Sequence, residues 1–366
     1  MGDRLPFHVL TNIFSAVRAS DPSPDTLRDL VFVSTAWADA ASFVMYRSVA
    51  LYGGATATLF VRTLQRCPHR AYLVRTLLIA LELDDDAAAG QPATDEEGLQ
   101  LVNALAACPN VIDLSIRPLP PSVRIPLLAA LASKQLESLV CAPRLNTPQS
   151  ALFRAADLVS LASPGLQHLE LDIWTFPLES REAALLSFPS PLDLTHVKLA
   201  CSGAEPLVLP LLAATNRLEE ADVYLEYMCE DPAALASALM PSAATLRHLT
   251  FLANPPLETF PGRQPPFPPA VNRILPSFEQ LEFLSISATE VSVEALRLLP
   301  STLKHLEIES ITNFPYFDFS DTLLHIISTT HFTLQTLVVQ DQSWSSEEAG
   351  EVRTACAARG ISFIWH

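Results

Sequence analysis

An apolar-x-x-apolar-x-apolar pattern returns ten times along this chain of 366 residues, and most copies open with leucine. The end of the pattern alternates like a short strand with every second side chain buried, and helix-like segments separate most copies. Successive copies open 22 to 37 residues apart, with a mean of about 29. Such a chain buries its apolar residues by stacking similar units. The copies open at Val74, Val111, Leu136, Leu166, Leu194, Leu218, Leu246, Leu281, Leu303 and Leu334.

A period in the twenties with this apolar core is the signature of leucine-rich repeats, in which each copy adds one short strand to a stack. We therefore predict an α/β leucine-rich-repeat solenoid over residues 53–366, a curved parallel sheet with outer helices and about ten irregular repeats. A helix at Glu347–Arg359 and a strand at Ile361–Trp365 are predicted to cap its C-terminal end. Outer helices are predicted at Leu99–Ala107, Ile125–Ala132, Leu152–Leu161, Arg181–Phe188, Leu207–Ala214, Ala233–Met240, Val293–Leu299 and Leu323–Thr330.

The formal net charge is −17, and nearly all of it lies after residue 50. An acidic surface repels phosphate backbones and anionic lipids, which argues against nucleic-acid and membrane partners. A basic protein partner and simple solubility both fit this charge. The six cysteines form no CxxC pair, as expected for thiols in a reducing compartment. The sequence has neither a signal-peptide pattern nor 18 consecutive apolar residues, so we predict a cytoplasmic or nuclear protein.

Strand alternation predicts which side chains lie on the solvated, concave side of the repeats. A surface of this kind binds other proteins far more often than it carries an active site. Four histidines share one phase of the repeat, and two of them on neighbouring strands, about 5 Å apart, raise the question of a metal site. Repeated consensus positions recur without function and no third ligand is evident, so neither a metal nor a cofactor is predicted. Predicted partner-binding residues are His168, Asp172, Trp174, His196, Lys198, Asp222, Tyr224, Tyr227, His248 and His305.

Three of these, Trp174, Tyr224 and Tyr227, lie near the ends of strands, where loops line the rim of a solenoid. They are binding anchors if exposed and core cover if buried. Two insertions are predicted to be exposed loops: an acidic segment with Asp84–Asp86 and Asp95–Glu97, and a proline-rich segment at 255–269. The proline-rich loop is either a bridge between repeats or a ligand for a proline-binding domain. No nucleophile, metal-protease or phosphate-loop motif is present, so no catalytic residue is predicted.

Residues 1–52 do not follow the repeat. Leu5-Pro6 opens a predicted helix, because proline is tolerated in a first turn. Further helices are predicted from about Thr26 and Thr35, followed by a strand at Tyr46–Leu51. The order Leu5-Pro6-x-x-Val9-Leu10-x-x-Ile13-Phe14, Val33-Ser34-x-x-Trp37 and Met45-Tyr46-Arg47 resembles an F-box, most like the variants of large fungal F-box/leucine-rich-repeat sets.

The resemblance implies that residues 1–52 form an F-box-like helical domain that docks on a Skp1-like adaptor and, through it, on a cullin. The repeats would then present a protein target for ubiquitin transfer by the partners. His8 and Ala36 stand where the family usually has an acidic and a basic residue. The implied adaptor-binding residues are Leu5, Pro6, Val9, Leu10, Ile13 and Phe14, with Val33 and Trp37 holding the later helices together.

A second interpretation needs no adaptor. Solenoids require capping units at their ends, because an open sheet edge templates pairing with other chains. On this interpretation the chain is a leucine-rich-repeat interaction scaffold whose first helices only cap the repeats. The two roles can also coexist.

Overall fold

The structure, a computed structural model, consists of two compact units, Met1–Leu152 and Phe153–His366. Each unit contains parallel strands with helices between them, so the chain is an α/β protein. Among the residues described, no helix is both long enough and apolar enough to cross a bilayer. The structure describes residues 5–20, 24–81, 94–117, 119–141, 155–162, 165–172, 187–188, 191–201, 205–225, 232–253, 272, 274–287, 293–309, 319–329, 333–340 and 345–366.

The first unit begins with the three predicted helices, α1 (Phe7–Ser20), α2 (Pro24–Leu30) and α3 (Thr35–Arg47). Ser34 caps α3, since its side chain accepts a hydrogen bond from the backbone N–H of Trp37. Apolar residues at helical spacing on α1 meet α2 and α3 in a core of their own. Its buried members are Leu10, Phe14, Leu27, Ala40, Ala41 and Val44.

Arg18 joins the end of α1 to the end of α3. Its guanidinium donates hydrogen bonds to the carbonyl oxygens of Val44, at 2.6 Å, and Ser48, at 2.7 Å. A longer bond of 3.3 Å reaches Met45. The last carbonyls of a helix lack partners within the helix, and a cation there also complements the helix dipole. Arg18 therefore fixes how α1 packs against α3 and the strand that follows.

Four parallel strands follow in sequence order in the first unit, and helices connect them. The first strand begins at Ser48, two residues later than predicted, because α3 continues through Arg47. The strands are β1 (Ser48–Tyr52), β2 (Thr76–Ala80), β3 (Asp113–Ile116) and β4 (Ser138–Cys141). The connecting helices are α4 (Gly53–Arg66), α5 (Asp95–Ala107) and α6 (Arg124–Leu131), with short 3₁₀ turns at Pro68–Leu73 and Pro121–Val123.

The prediction of an exposed acidic loop is wrong for Asp95–Glu97, which forms the first turn of α5. The Thr94 side chain accepts a hydrogen bond from the Glu97 N–H, and the Glu97 carboxylate accepts one from the Thr94 N–H. This capping box satisfies two N–H groups, and the acidic side chains suit the positive end of the helix dipole. The other acidic residues, Asp84–Asp86, lie outside the described residues.

The second unit contains eight parallel strands, again paired in sequence order. They are β5 (His168–Asp172), β6 (His196–Cys201), β7 (Glu220–Leu225), β8 (His248–Ala253), β9 (Phe283–Ser287), β10 (His305–Glu309), β11 (Thr336–Gln340) and β12 (Ser362–Trp365). Described helices are α7 (Ala155–Leu161), α8 (Glu205–Ala213), α9 (Pro232–Leu239), α10 (Val293–Leu296), α11 (Phe319–Thr329) and α12 (Ser346–Ala358), with 3₁₀ turns at Met240–Ser242 and Leu275–Ser277.

These helices agree with the predicted ones to within a few residues at most ends. The predicted helix at Arg181–Phe188 and the proline-rich segment lie mainly or wholly outside the described residues. The helix and the strand predicted near residues 347–365 are present as α12 and β12: Ser345 and Glu348 form a capping box at the start of α12, and Gly360, with φ of 71°, follows its end. A positive φ at this position favours glycine.

The repeat pattern supplies the core of both units. Nine of the ten opening residues are buried, and Leu334 is half-buried. The inward positions of the strands are buried as predicted, including Leu169, Leu249 and Leu306. Parallel strands need crossover connections, and the helices between the strands provide them. The inward aliphatic side chains of each strand thus pack the strands of each unit against its helices.

Candidate functional site

The register of the second unit places the predicted binding residues in rows across neighbouring strands. The first row is His168, His196, Glu220, His248, Phe283 and His305 on β5 to β10. The second row is Glu170, Lys198, Asp222, Thr250, Ser285 and Glu307. We call the face that carries these rows, with Tyr224 and Glu309 further along β7 and β10, the histidine–carboxylate face. The prediction that four histidines share one phase is confirmed.

Three rings of the first row form a stack across adjacent strands. The ring centroids of His248 and Phe283 are 3.9 Å apart with planes 6° apart, and those of Phe283 and His305 are 4.4 Å apart with planes 9° apart. His168 and His196 lie 5.7 Å apart at a tilt of 31°. The stack is possible because parallel pairing in register sets equivalent side chains one strand spacing apart. Phe283 was absent from the predicted binding residues, although its phase in the repeat is that of the histidines.

Polar side chains on this face also contact one another. Lys198 Nζ lies 3.1 Å from Glu170 Oε1, and His196 Nε2 lies 3.7 Å from Glu220 Oε1. Gln340 donates a hydrogen bond of 2.7 Å to Glu307. Such partly exposed pairs contribute little stability, because water competes for both partners. They do fix the orientation of the side chains on this face.

Asp222 and His248 form the most enclosed of these contacts, with Nε2 3.3 Å from Oδ1. The same Nε2 lies 3.3 Å from the Thr250 hydroxyl oxygen. Asp222 Oδ1 is inaccessible to solvent and lacks a well-aligned hydrogen bond within the described residues, so its contact with His248 is mainly electrostatic. Burial raises the pKa of Asp222, but the polar groups of His248 and Thr250 outweigh it, and the pKa lies below its usual value. Asp222 is therefore a carboxylate at neutral pH.

Acidic groups also crowd the far end of the face. Burial and the neighbouring charge of Glu307 raise the pKa of Glu309. Burial, followed by the charges of Asp222 and Glu309, raises the pKa of Tyr224. Burial is the larger cause of both shifts, and the neighbouring carboxylates add to it.

Part of the face is less solvated than predicted. Thr250 and Ser285, in the centre of the second row, are buried rather than exposed. Both side chains are short, and the longer Asp222 and Glu307 stand on either side of the pair in this row. The prediction of a fully solvated face is therefore wrong for these two positions.

The predicted partner-binding residues have three outcomes. His168, His196, Lys198, Asp222, Tyr224, His248 and His305 lie together on the face, as predicted. Asp172 occupies the next position of β5, opposite Ala200, and its side chain is not among those described. Trp174 and Tyr227 lie outside the described residues. Within the described part of the chain, no group of three or more His, Cys, Asp or Glu side chains is placed to hold a metal ion.

The pKa values of two histidines on the face predict a pH-dependent stability. Burial is the main cause that lowers the pKa of His168, and the neighbouring His196 and Lys198 lower it further. The carboxylates of Glu170 and Glu220 act in the opposite direction but do not outweigh these effects. Burial and His248 lower the pKa of His305, against Glu307. Near and below the ordinary histidine pKa of 6.5, the unfolded chain therefore binds more protons than the folded protein. The free energy of unfolding should fall as pH drops from about 7 to about 5.

Urea unfolding at several pH values measures this slope. The double variant His168→Gln/His305→Gln should flatten it between pH 5 and 7, whatever its effect on stability at neutral pH. The exposed His69, replaced by glutamine, serves as the control and should leave the slope unchanged. An unchanged slope in the double variant would contradict the prediction.

A second candidate site lies on the three N-terminal helices. Five large apolar side chains here, Leu5, Phe7, Ile13, Phe32 and Val33, are exposed by 44% to 81%. Large apolar side chains that face water in one small helical region are typical of a protein-binding surface. Phe7 is held in place by an edge contact with Phe43, with ring centroids 5.7 Å apart.

The structure divides the implied adaptor-binding residues into two groups. Leu5, Pro6 and Ile13 are exposed and Val9 is half-buried, whereas Leu10 and Phe14 belong to the core. Trp37 packs edge-on against Phe14 at 5.3 Å, consistent with its expected role between helices. Val33 is 58% exposed, so the expectation that it holds the later helices together is wrong. The prediction overlooked Phe7 and Phe32, whose exposure depends on how the helices pack.

No protein-family model matches this chain, and no curated protein matches it significantly. The architecture places it in the α/β class, with parallel strands paired in sequence order within each unit. Its function is therefore inferred from its residues and their geometry.

Proposed function

We propose that this protein is the substrate-recognition subunit of a Skp1–cullin–F-box ubiquitin ligase. Its three N-terminal helices dock on the Skp1-type adaptor, and its leucine-rich repeats bind a protein target. Catalysis then belongs to the partners, and the chain itself is not an enzyme. One observation carries the proposal: three N-terminal helices with an independent core, together with the residues beside them, expose Leu5, Phe7, Ile13, Phe32 and Val33 ahead of the first strand, β1.

Two further features support this reading. The order of the apolar residues in the N-terminal helices resembles that of an F-box, and the strands β5 to β10 carry the histidine–carboxylate face. Cys108 and Cys356 are buried thiols whose burial raises their pKa values to about 12 and about 11, so both are unreactive. Reduced thiols suit a cytoplasmic or nuclear protein.

A second candidate function is an interaction scaffold whose N-terminal helices only cap the repeats. The observation that favours it is the direct continuation of α3 into β1, which pairs with β2 in register from Ser48 and Thr76 onwards. The Arg75 N–H also donates a hydrogen bond to the Arg47 carbonyl oxygen. The helices and the first sheet are thus physically joined, as a cap requires.

Co-purification with a Skp1-type adaptor separates the two functions. The substitutions Ile13→Asp and Phe32→Asp, singly and together, place charges on exposed apolar positions and leave the core intact. At the centre of an interface such changes cost about 2 kcal/mol or more each, so the double variant should lose at least tenfold in adaptor binding.

Leu59→Asp is the matched control, because Leu59 is 62% exposed on α4, outside the three helices. It should co-purify with the adaptor as the parent protein does. Circular dichroism should show unchanged helix content in all variants. If the parent protein binds no adaptor, or if the double variant binds as well as Leu59→Asp, the adaptor proposal is overturned and the capping function is favoured.

A further inference from the structure

Negative charge dominates the histidine–carboxylate face. Five carboxylates on β5, β7 and β10 belong to it: Glu170, Glu220, Asp222, Glu307 and Glu309. Lys198 is the one lysine or arginine among the described residues of this face, and its ammonium group lies against Glu170. Glu220 and Asp222 have histidine neighbours, and Glu307 has the neutral amide of Gln340. At neutral pH the face therefore carries an excess of negative charge from β7 to β10.

The ring stack ends beside these carboxylates. On β7, the strand next to His248, the same row holds Glu220, which is about half exposed. A planar guanidinium placed there would continue the stack of His248, Phe283 and His305 and would meet the Glu220 and Asp222 carboxylates. Guanidinium groups stack on aromatic faces and pair with carboxylates, and they are easier to strip of water than ammonium groups.

We propose that the histidine–carboxylate face binds a basic peptide segment of a partner protein, with arginine side chains between the carboxylates of Glu220, Asp222 and Glu307. Charge complementarity selects a cationic partner, and the ring stack selects arginine over lysine. This inference deepens the proposed function, on which it rests for the role of the repeats in target binding.

The spacing of the carboxylates suits an extended chain. Glu220 on β7 and Glu307 on β10 are separated by three strand spacings, about 14 Å at about 4.8 Å per spacing. A peptide that crosses the strands covers this distance in about four residues at about 3.4 Å per residue. Side chains at i and i+4 of an extended chain lie on the same side, so two arginines four residues apart can reach both carboxylates.

The test is fluorescence anisotropy with a labelled ten-residue peptide of alternating arginine and serine, at 150 mM salt to screen distant charges. The reference peptide carries citrulline, which is nearly isosteric with arginine and neutral. We expect the arginine peptide to bind at least tenfold more tightly than the citrulline peptide. The variants Glu220→Gln/Asp222→Asn and Glu220→Gln/Glu307→Gln should each weaken binding at least tenfold.

The matched control is Glu347→Gln/Glu351→Gln, which makes the same change in net charge on two exposed positions of α12. It should bind within about twofold of the parent protein. Equal losses in this control would show that overall acidity attracts the peptide and would overturn the proposal. Equal binding of the two peptides, or no binding of either, would also overturn it.

Two pairs of face substitutions are used because Asp222 is enclosed and its replacement could disturb folding. The pair Glu220→Gln/Glu307→Gln leaves Asp222 unchanged and tests the same proposal. The assay contains no adaptor, so its failure is distinguishable from a failure of the proposed function. Retained adaptor binding without peptide binding would overturn this inference alone. Peptide binding without adaptor binding would leave the face as a basic-peptide site on an interaction scaffold.

Discussion

Replacement of Leu249 by aspartate is expected to unfold the parallel strands of the second unit. Leu249 is completely buried on β8, between Ala221 of β7 and Leu284 of β9, which are also completely buried. Both neighbours are apolar, so a carboxylate there must either shed its hydration or take up a proton. The cost of several kcal/mol is comparable with the total stability of a typical domain, about 5 to 15 kcal/mol.

Circular dichroism during thermal and urea unfolding measures this effect. Leu249→Ala provides an intermediate step, because truncation of a buried leucine costs about 2 to 5 kcal/mol without burying a charge. Leu298→Asp is the control, since Leu298 is 55% exposed and its substitution should change stability by less than about 0.5 kcal/mol. If Leu249→Asp melts with the parent protein, the buried row of the repeat pattern does not hold the sheet together.

The sequence could predict this buried row because the physics behind it is local. A strand alternates its side chains between two faces, so one apolar position fixes the orientation of its neighbours. The burial of Leu169 and Leu306 and the shared phase of four histidines follow directly from that alternation. Parallel pairing in order follows from the crossover helices between successive copies.

Element ends were predicted less well, because they depend on capping. The run Asp95–Glu97 was interpreted as part of an acidic loop, although Thr94 and Glu97 have the spacing of a capping box. The signal was present in the sequence and was outweighed by the glycine- and alanine-rich context before it. The first strand was placed two residues too early, since the apolar residues of α3 run directly into it.

The geometry of the candidate sites could not be predicted from the sequence, because it depends on contacts between side chains of different strands and helices. Phase alone places Phe283 beside His248 and His305, but only side-chain rotamers show that the three rings stack. The burial of Thr250 and Ser285 depends on the sizes of neighbours on other strands. On α1, the apolar positions 9, 10, 13 and 14 look alike in sequence, and the packing of α2 and α3 decides which of them face inward.

That division within α1 leads to the second large effect, which concerns Phe14. Phe14→Ala should destabilise the three N-terminal helices by about 3 to 5 kcal/mol, the range for truncation of a buried aromatic side chain. The ring is 1% exposed, and it packs edge-on against Trp37 at 5.3 Å. Among the described residues the core has only six buried members including Phe14 itself, so one cavity removes a large share of its contacts. Local opening should therefore increase even where the sheets stay folded.

Hydrogen exchange followed by mass spectrometry measures this opening segment by segment. Phe14→Ala should accelerate exchange in Phe7–Ser20 and Thr35–Arg47, while His248–Ala253 in the second unit serves as the internal reference. Phe7→Ala is the matched control, because Phe7 is 49% exposed and its removal leaves no closed cavity. Similar exchange in the two variants would contradict the assignment of Phe14 to the helical core.

Hydrogen exchange also distinguishes a variant that alters the proposed docking surface from one that unfolds the helices. Ile13→Asp changes the exposed side of α1 and should leave exchange in the three helices as slow as in the parent protein. If the proposed adaptor binding exists, Phe14→Ala should remove it as well, but through faster opening of the helices that carry the proposed docking surface. If Ile13→Asp also accelerates exchange, its effect on the adaptor reports folding, and the docking surface must then be sought at Phe7 and Phe32 instead.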